Sequence, residues 1–226
     1  MASESGEVEG QAQRPRDPSK RTLLWNIGWL ICRLYTTLTF DLKVYGRRHV
    51  PAKGGVLIVS NHQSYLDPVL LGVGLSRPMS YMARATLWKN KLFGWLITNL
   101  NAFPVRRGEG DIGAVKETIR RLQEGHMLAM FPEGTRTTTG DIEAMEPGVA
   151  LMIRRAGVTV VPAVVDGSYQ AWPKGVKFPR AHPIKVLYGP ALETQGLRAS
   201  EIVPMLERTL KGMLADLRAG KVERYK

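Results

Sequence analysis

Gly55-Val56-Leu57-Ile58-Val59-Ser60-Asn61-His62-Gln63-Ser64-Tyr65-Leu66-Asp67-Pro68 sets an uncharged apolar run directly ahead of a polar stretch that holds a histidine and an aspartate five positions apart. The run reads as a strand over 56–60, and Pro68 onward as the start of a helix, so the two polar side chains fall where a strand ends. In open α/β sheets, ligands bind beyond the carboxyl ends of strands. The same alternation extends in both directions, with strands expected over 42–45, 80–83, 102–105, 127–131, 158–165 and 184–187. Helices are expected over 68–75, 87–98, 112–124, 148–156 and 200–217. Short apolar runs alternating with longer amphipathic ones predict an α/β fold, a mostly parallel sheet covered by helices, in one domain spanning 42–218.

The remaining chain divides by composition. Residues 1–21 carry four acids and four bases, are rich in Gly, Pro, Gln and Glu, and have almost no large apolar side chain; they read as a disordered tail. Residues 22–41 contain an apolar helix over 23–40. As an interfacial helix it would turn Asn26, Arg33 and Thr37 toward headgroups and Trp25, Trp29, Leu30, Leu34 and Leu38 into lipid. Residues 219–226 read as a basic tail. The 32 Lys and Arg against 20 acids leave a net charge of +12, all of it beyond the neutral N-terminal stretch. Neither a basic recognition helix nor aromatics interleaved with bases on strands are present, so the expected polyanion is lipid or a small phosphate and not nucleic acid. The lone Cys32 excludes an intramolecular disulfide and leaves no ordinary zinc site, which suits a reducing compartment.

The chemistry concentrates at two turns. An imidazole takes a proton near neutral pH, and a carboxylate on its other nitrogen fixes the tautomer and steadies the imidazolium; His62 with Asp67 makes such a base, needing only a hydroxyl to activate. Asp67 before Pro68 also suits a helix cap, and Ser64 between them allows a hydrolase triad, although no nucleophile elbow is present. The second turn, Phe131-Pro132-Glu133-Gly134-Thr135-Arg136, follows another apolar strand. Gly134 permits close backbone approach, Thr135 adds a hydroxyl, Arg136 offers a fork matched to phosphate oxygens, and Glu133 is placed to hold that arginine. Arg106 and Arg107, at a third strand end, add guanidiniums to the same rim. Trp172, Lys174, Lys177 and Arg180 form a basic, aromatic loop.

Together, H-x-x-x-x-D within NHQSYLDP, FPVRRG at 103–108, FPEGTR at 131–136 and VPAVV at 161–165 resemble the glycerolipid acyltransferase family, in the family's order over residues 55–168. The resemblance implies a glycerol-3-phosphate acyltransferase-like fold with a mixed sheet, an N-terminal membrane element, and no metal or cofactor. It implies His62 as base and Asp67 as its orienting acid, with Glu133, Gly134 and Arg136 at the acceptor's phosphate and Arg107 at the basic position of its block. The implied reaction moves an acyl group from acyl-CoA or acyl carrier protein to 1-acyl-sn-glycerol 3-phosphate, giving phosphatidic acid at the cytoplasmic face of the cell membrane. Departures at Arg106, often Asp in relatives, at Thr137, often Ser, and at Pro147, often a base, leave open another lysolipid or glycerol 3-phosphate as acceptor. Two rivals come from other classes. One is dinucleotide binding by Gly108-Glu109-Gly110-Asp111-Ile112-Gly113, where two carboxylates would oppose a pyrophosphate. The other is a non-enzymatic membrane-binding module.

Overall fold

The computed structural model describes residues 21–105 and 112–225. Residues 1–20 of the expected 1–21 disordered tail, Arg106, Arg107 and the first four residues of the glycine-rich motif lie outside them.

The described residues form a seven-stranded sheet of order β1-β7-β6-β2-β5-β3-β4. Its strands are β1 (Lys43–Tyr45), β2 (Val56–Ser60), β3 (Met79–Arg84), β4 (Ala102–Val105), β5 (Met127–Met130), β6 (Thr159–Asp166) and β7 (Lys185–Tyr188). All neighbours pair parallel except β6 with β7, so the sheet is mixed and mostly parallel. Central β2 is buried at every position, which explains why its sequence is continuously apolar and does not alternate. Helices α1 (Leu23–Phe40) and α2 (Asp67–Val73) cover one face, where Phe40, Leu70 and Leu71 pack on Val56 and Ile58. Helices α4 (Ile112–Gln123), α5 (Gly148–Ala156) and, after the single turn α6 (Ser168–Ala171), α7 (Ala199–Arg218) cover the other, on Leu57, Val59 and Val160. From β2 the chain passes to α2 on the first face, and from neighbouring β5 it passes to α5 on the second. Their carboxyl ends therefore part to leave a crevice, the usual place for a ligand in such sheets.

Three expectations change. The helix expected over 87–98 divides into a 3-10 turn, Ala85–Lys89, and α3 (Lys91–Asn99), because Asn90 accepts from the Phe93 amide and caps a new helix there. Helix α1 has the expected extent, but Trp25 and Trp29 face the protein. Trp29 Nε1 donates to Leu75 O at 3.0 Å, and Arg33 Nη1 donates to Val73 O at 2.9 Å. The physical reason is the end of α2, whose last carbonyls have no helical partners and attract donors and positive charge. Finally, the C-terminal residues fold back on α7: Tyr225 is buried, donates to Asp216 at 2.8 Å, and Arg224 pairs with the same carboxylate. Among the described residues no helix is long and apolar enough to cross a membrane.

Candidate active site

At the end of β2, the Asn61 side chain pairs with β6 as a strand backbone would, its Nδ2 donating to Val165 O at 2.9 Å and its Oδ1 accepting the Val165 N–H at 2.8 Å. The loop that follows starts from that fixed point and closes on Asp67. One oxygen of the Asp67 carboxylate, Oδ2, accepts from the Gln63 amide at 2.6 Å, the Ser64 amide at 2.7 Å and His62 Nδ1 at 2.9 Å. The other accepts from Ser168 Oγ at 2.6 Å. With an acceptor-only carboxylate opposite it, Nδ1 carries the ring proton, which leaves Nε2 as the basic nitrogen. The ring stacks on Phe131 at 4.1 Å between centroids, and its side chain is 12% exposed. The imidazole thus stands on a buried, fully bonded support.

This geometry decides between the readings of the motif. Asp67 begins α2, but its carboxylate turns back to the loop amides and the imidazole and makes no side-chain cap. Ser64 is buried, donates to Trp172 O at 2.9 Å and accepts from the Leu66 amide, so its oxygen is committed to holding the loop. Ser168 and Gln63 escaped the sequence reading. Gln63 donates to Gly140 O at 2.6 Å and accepts from Ser168, tying the motif to two other loops. Ser168 is delivered by Gly167, whose φ of +90° suits glycine, and a Cβ there would sit 2.2 Å from Pro183 O. The only sequence signal for Ser168 was its place just after the β6 strand.

The second turn is fastened to the first. Glu133, 6% exposed, accepts the His62 amide on Oε1 at 2.7 Å and the Glu143 amide on Oε2 at 2.9 Å. It therefore does not hold Arg136; it braces the backbone at His62. Burial pushes its carboxyl up to about 7 against the opposing pull of those two amides. Thr137 N donates to His62 O at 2.8 Å, and its hydroxyl accepts from the amides of Thr139 and Gly140. A serine hydroxyl would close the same turn, so the departure at 137 leaves the turn's chemistry unchanged. Gly134, at φ +67°, and Thr135 are exposed on the turn.

Arg136 lies with its guanidinium carbon 3.4 Å from the ring centre of Tyr65, three residues from His62 in the first loop. Its Nη1 is buried and has no acceptor. Tyr65 in turn leans on Trp172 at 5.5 Å, which brings the basic, aromatic loop to the edge of the site, with Lys174, Lys177 and Phe178 exposed. His62, Asp67, Glu133 and Arg136 are thus brought to one crevice.

A cavity of about 310 Å³ opens beside it, between α1, α2, β3 and α3. Its lining runs from Pro68 and Val69, next to Asp67, past Trp25, Gly28 and Cys32 to Leu87, Ile97 and Leu100. Burial raises the Cys32 thiol, so it stays protonated and inert. Among the described residues no group of His, Cys, Asp and Glu can hold a metal ion.

A 1-acyl-sn-glycerol-3-phosphate acyltransferase of Bacillus subtilis is 32% identical over 136 residues, covering 60% of this chain and 67% of that protein. One from Pseudomonas aeruginosa is 29% identical over 172 residues, covering 74% and 65%. A lyso-ornithine lipid O-acyltransferase of the same species is 30% identical over 139 residues, covering 61% and 52%. The chain thus spans between about half and two thirds of these relatives' lengths. The crystal structure of the 1-acyl-sn-glycerophosphate acyltransferase PlsC from Thermotoga maritima shares the fold, with a TM-score of 0.75 at 24% identity over 86% of this chain and 81% of that one. The acyltransferase family model matches residues 41–166, more than half of the chain and all of the crevice from His62 to Arg136, and the chain belongs to that family.

Proposed function

We propose that the protein transfers a fatty acyl group from a thioester, acyl-CoA or acyl carrier protein, to the free hydroxyl of 1-acyl-sn-glycerol 3-phosphate, giving phosphatidic acid at a membrane surface. The observation that carries the acceptor assignment is the buried Nη1 of Arg136, which lacks an acceptor and stands on the ring of Tyr65 beside His62. A buried guanidinium nitrogen without a partner is costly, and a phosphate oxygen supplies one. The relatives named for this acceptor support the reading.

In the reaction, the acceptor hydroxyl loses its proton to His62 Nε2 as its oxygen attacks the thioester carbonyl. Asp67 steadies the imidazolium that forms. Collapse of the tetrahedral intermediate breaks the carbon–sulfur bond, and the imidazolium returns the proton to the leaving thiolate. Binding of the phosphate at Arg136, remote from the reacting oxygen, fixes that oxygen beside the imidazole. The apolar cavity beside Asp67 takes the acyl chain. The exposed face of α1, with Leu23, Ile27, Leu30, Ile31, Leu34 and Leu38, lies on lipid, and α3 adds Leu92, Phe93 and Trp95.

An acceptor panel with one labelled thioester tests the assignment. Lysophosphatidic acid is expected to be the preferred acceptor over glycerol 3-phosphate, lyso-ornithine lipid and monoacylglycerol. Arg136→Ala should raise the KM for lysophosphatidic acid by about 10- to 10²-fold, the worth of a hydrogen bond to a charged group, while leaving the thioester KM unchanged. A preference for monoacylglycerol, or a change confined to the thioester KM, would overturn it. The acyl cavity has its own test at Gly28, where a Cβ would already lie 3.1 Å from Leu100 Cδ2. Gly28→Leu should shift donor preference toward shorter chains in a competition of mixed thioesters, and an unchanged product profile would place the chain elsewhere.

A further inference from the structure

We infer that a second, basic cavity at the far end of α2 binds the phosphate of a membrane phospholipid, separately from the acceptor. It measures about 330 Å³ and is lined by Arg33, Arg47 and Arg77, with Trp29, Pro51 and Leu75 among their neighbours and no acidic side chain. Helix α2, about 10 Å long at 1.5 Å per residue, separates it from the Asp67 end and the catalytic crevice.

The three arginines are differently placed. Arg77 is only 7% exposed; its terminal nitrogens donate to the carbonyls of Pro51, Gly54 and Gly125, and its Nε is buried without a partner. Arg33 gives one bond to Val73 O. The Arg47 side chain is exposed at the mouth and makes no hydrogen bond or ion pair among the described residues. Partial desolvation, and then the neighbouring Arg33 guanidinium, push Arg47 below the usual arginine range. Cations gathered in one cavity without a counter-ion lack their electrostatic complement, and a guanidinium fork matches phosphate oxygens.

The position of Arg33 selects lipid over a free anion. Leu30 and Leu34 stand about 60° and 100° around α1 from it, at 3.6 residues per turn, so Arg33 marks one border of the exposed apolar arc. With that arc in acyl chains, Arg33 and the cavity behind it sit at the depth of headgroup phosphates, where Trp29 also belongs. This inference rests on the reading that α1 lies on a lipid surface, and the experiment separates the two.

The test measures binding of the full chain, by co-sedimentation, to vesicles of phosphatidylcholine with and without phosphatidylglycerol. Arg47→Ala should weaken binding to the phosphatidylglycerol vesicles about tenfold. Lys211→Ala, which removes an exposed charge on the opposite face, should weaken it less than twofold. Equal effects of the two substitutions would refute the cavity. In that case, loss of vesicle binding in Leu34→Ser/Leu38→Ser would still uphold the lipid-facing arc. A wild-type chain that ignores both vesicle types would refute both. Inorganic phosphate alone, followed by tryptophan fluorescence, should bind far more weakly than the vesicles. Saturation by phosphate with no gain from vesicles would make the ligand a free anion and overturn the lipid assignment.

Discussion

Replacing His62 by alanine is expected to lower kcat by about 10²- to 10⁴-fold, the usual worth of a general base, with the fold retained. Retention follows from which atoms of His62 hold the loop. Its amide donates to Glu133 and its carbonyl accepts from Thr137, and both bonds belong to the backbone and survive the substitution. What is lost is the ring, its stacking on Phe131 and one of four bonds to Asp67. Single-turnover kinetics with saturating acceptor, beside a thermal melt, separates the two effects. A variant with kcat within a few-fold of wild type would remove the base from the scheme.

At Asp67 the two natural replacements should behave oppositely. Alanine leaves the amides of Gln63 and Ser64 buried without acceptors, at about 1–3 kcal/mol each, so Asp67→Ala should destabilise by about 2–6 kcal/mol. Asparagine can put its oxygen where Oδ2 now accepts and turn its amide toward Ser168, whose hydroxyl accepts as readily as it donates. Asp67→Asn should therefore melt close to wild type. Its rate should fall by about 10- to 10²-fold, because the imidazolium loses a charged partner. Urea unfolding of both variants checks the first expectation and kcat the second. An asparagine variant as unstable as the alanine one would show that the charge, and not the acceptor geometry, holds the loop.

The sequence carries much of this architecture openly. Continuous apolar runs mark β2, β5 and β6 because those strands are buried on both faces, and the five-residue spacing of His62 and Asp67 brings their side chains into hydrogen-bond contact. Partners far along the chain are less visible. Ser168 meets Asp67 across 101 positions, and no local pattern announces it. Glu133 looks like a ligand-binding carboxylate beside an arginine, and only its two backbone bonds show that it braces the loop. Helix α1 is apolar over most of its circumference, so its pattern does not say which arc meets protein. Treating Arg33 as outward-facing overlooked the open carbonyls at the end of α2.

The way α1 is built into the protein has a practical corollary. Phe40 is fully buried, its carbonyl accepts from Ile184 at 2.8 Å, and Trp25, Trp29 and Arg33 close the end and flank of α2. A shortened version begun at residue 42 to improve handling in water would strip the scaffold beneath Asp67 and lay open the apolar cavity beside it. In this chain the greasy segment is masonry, and truncation is not the route to working with it.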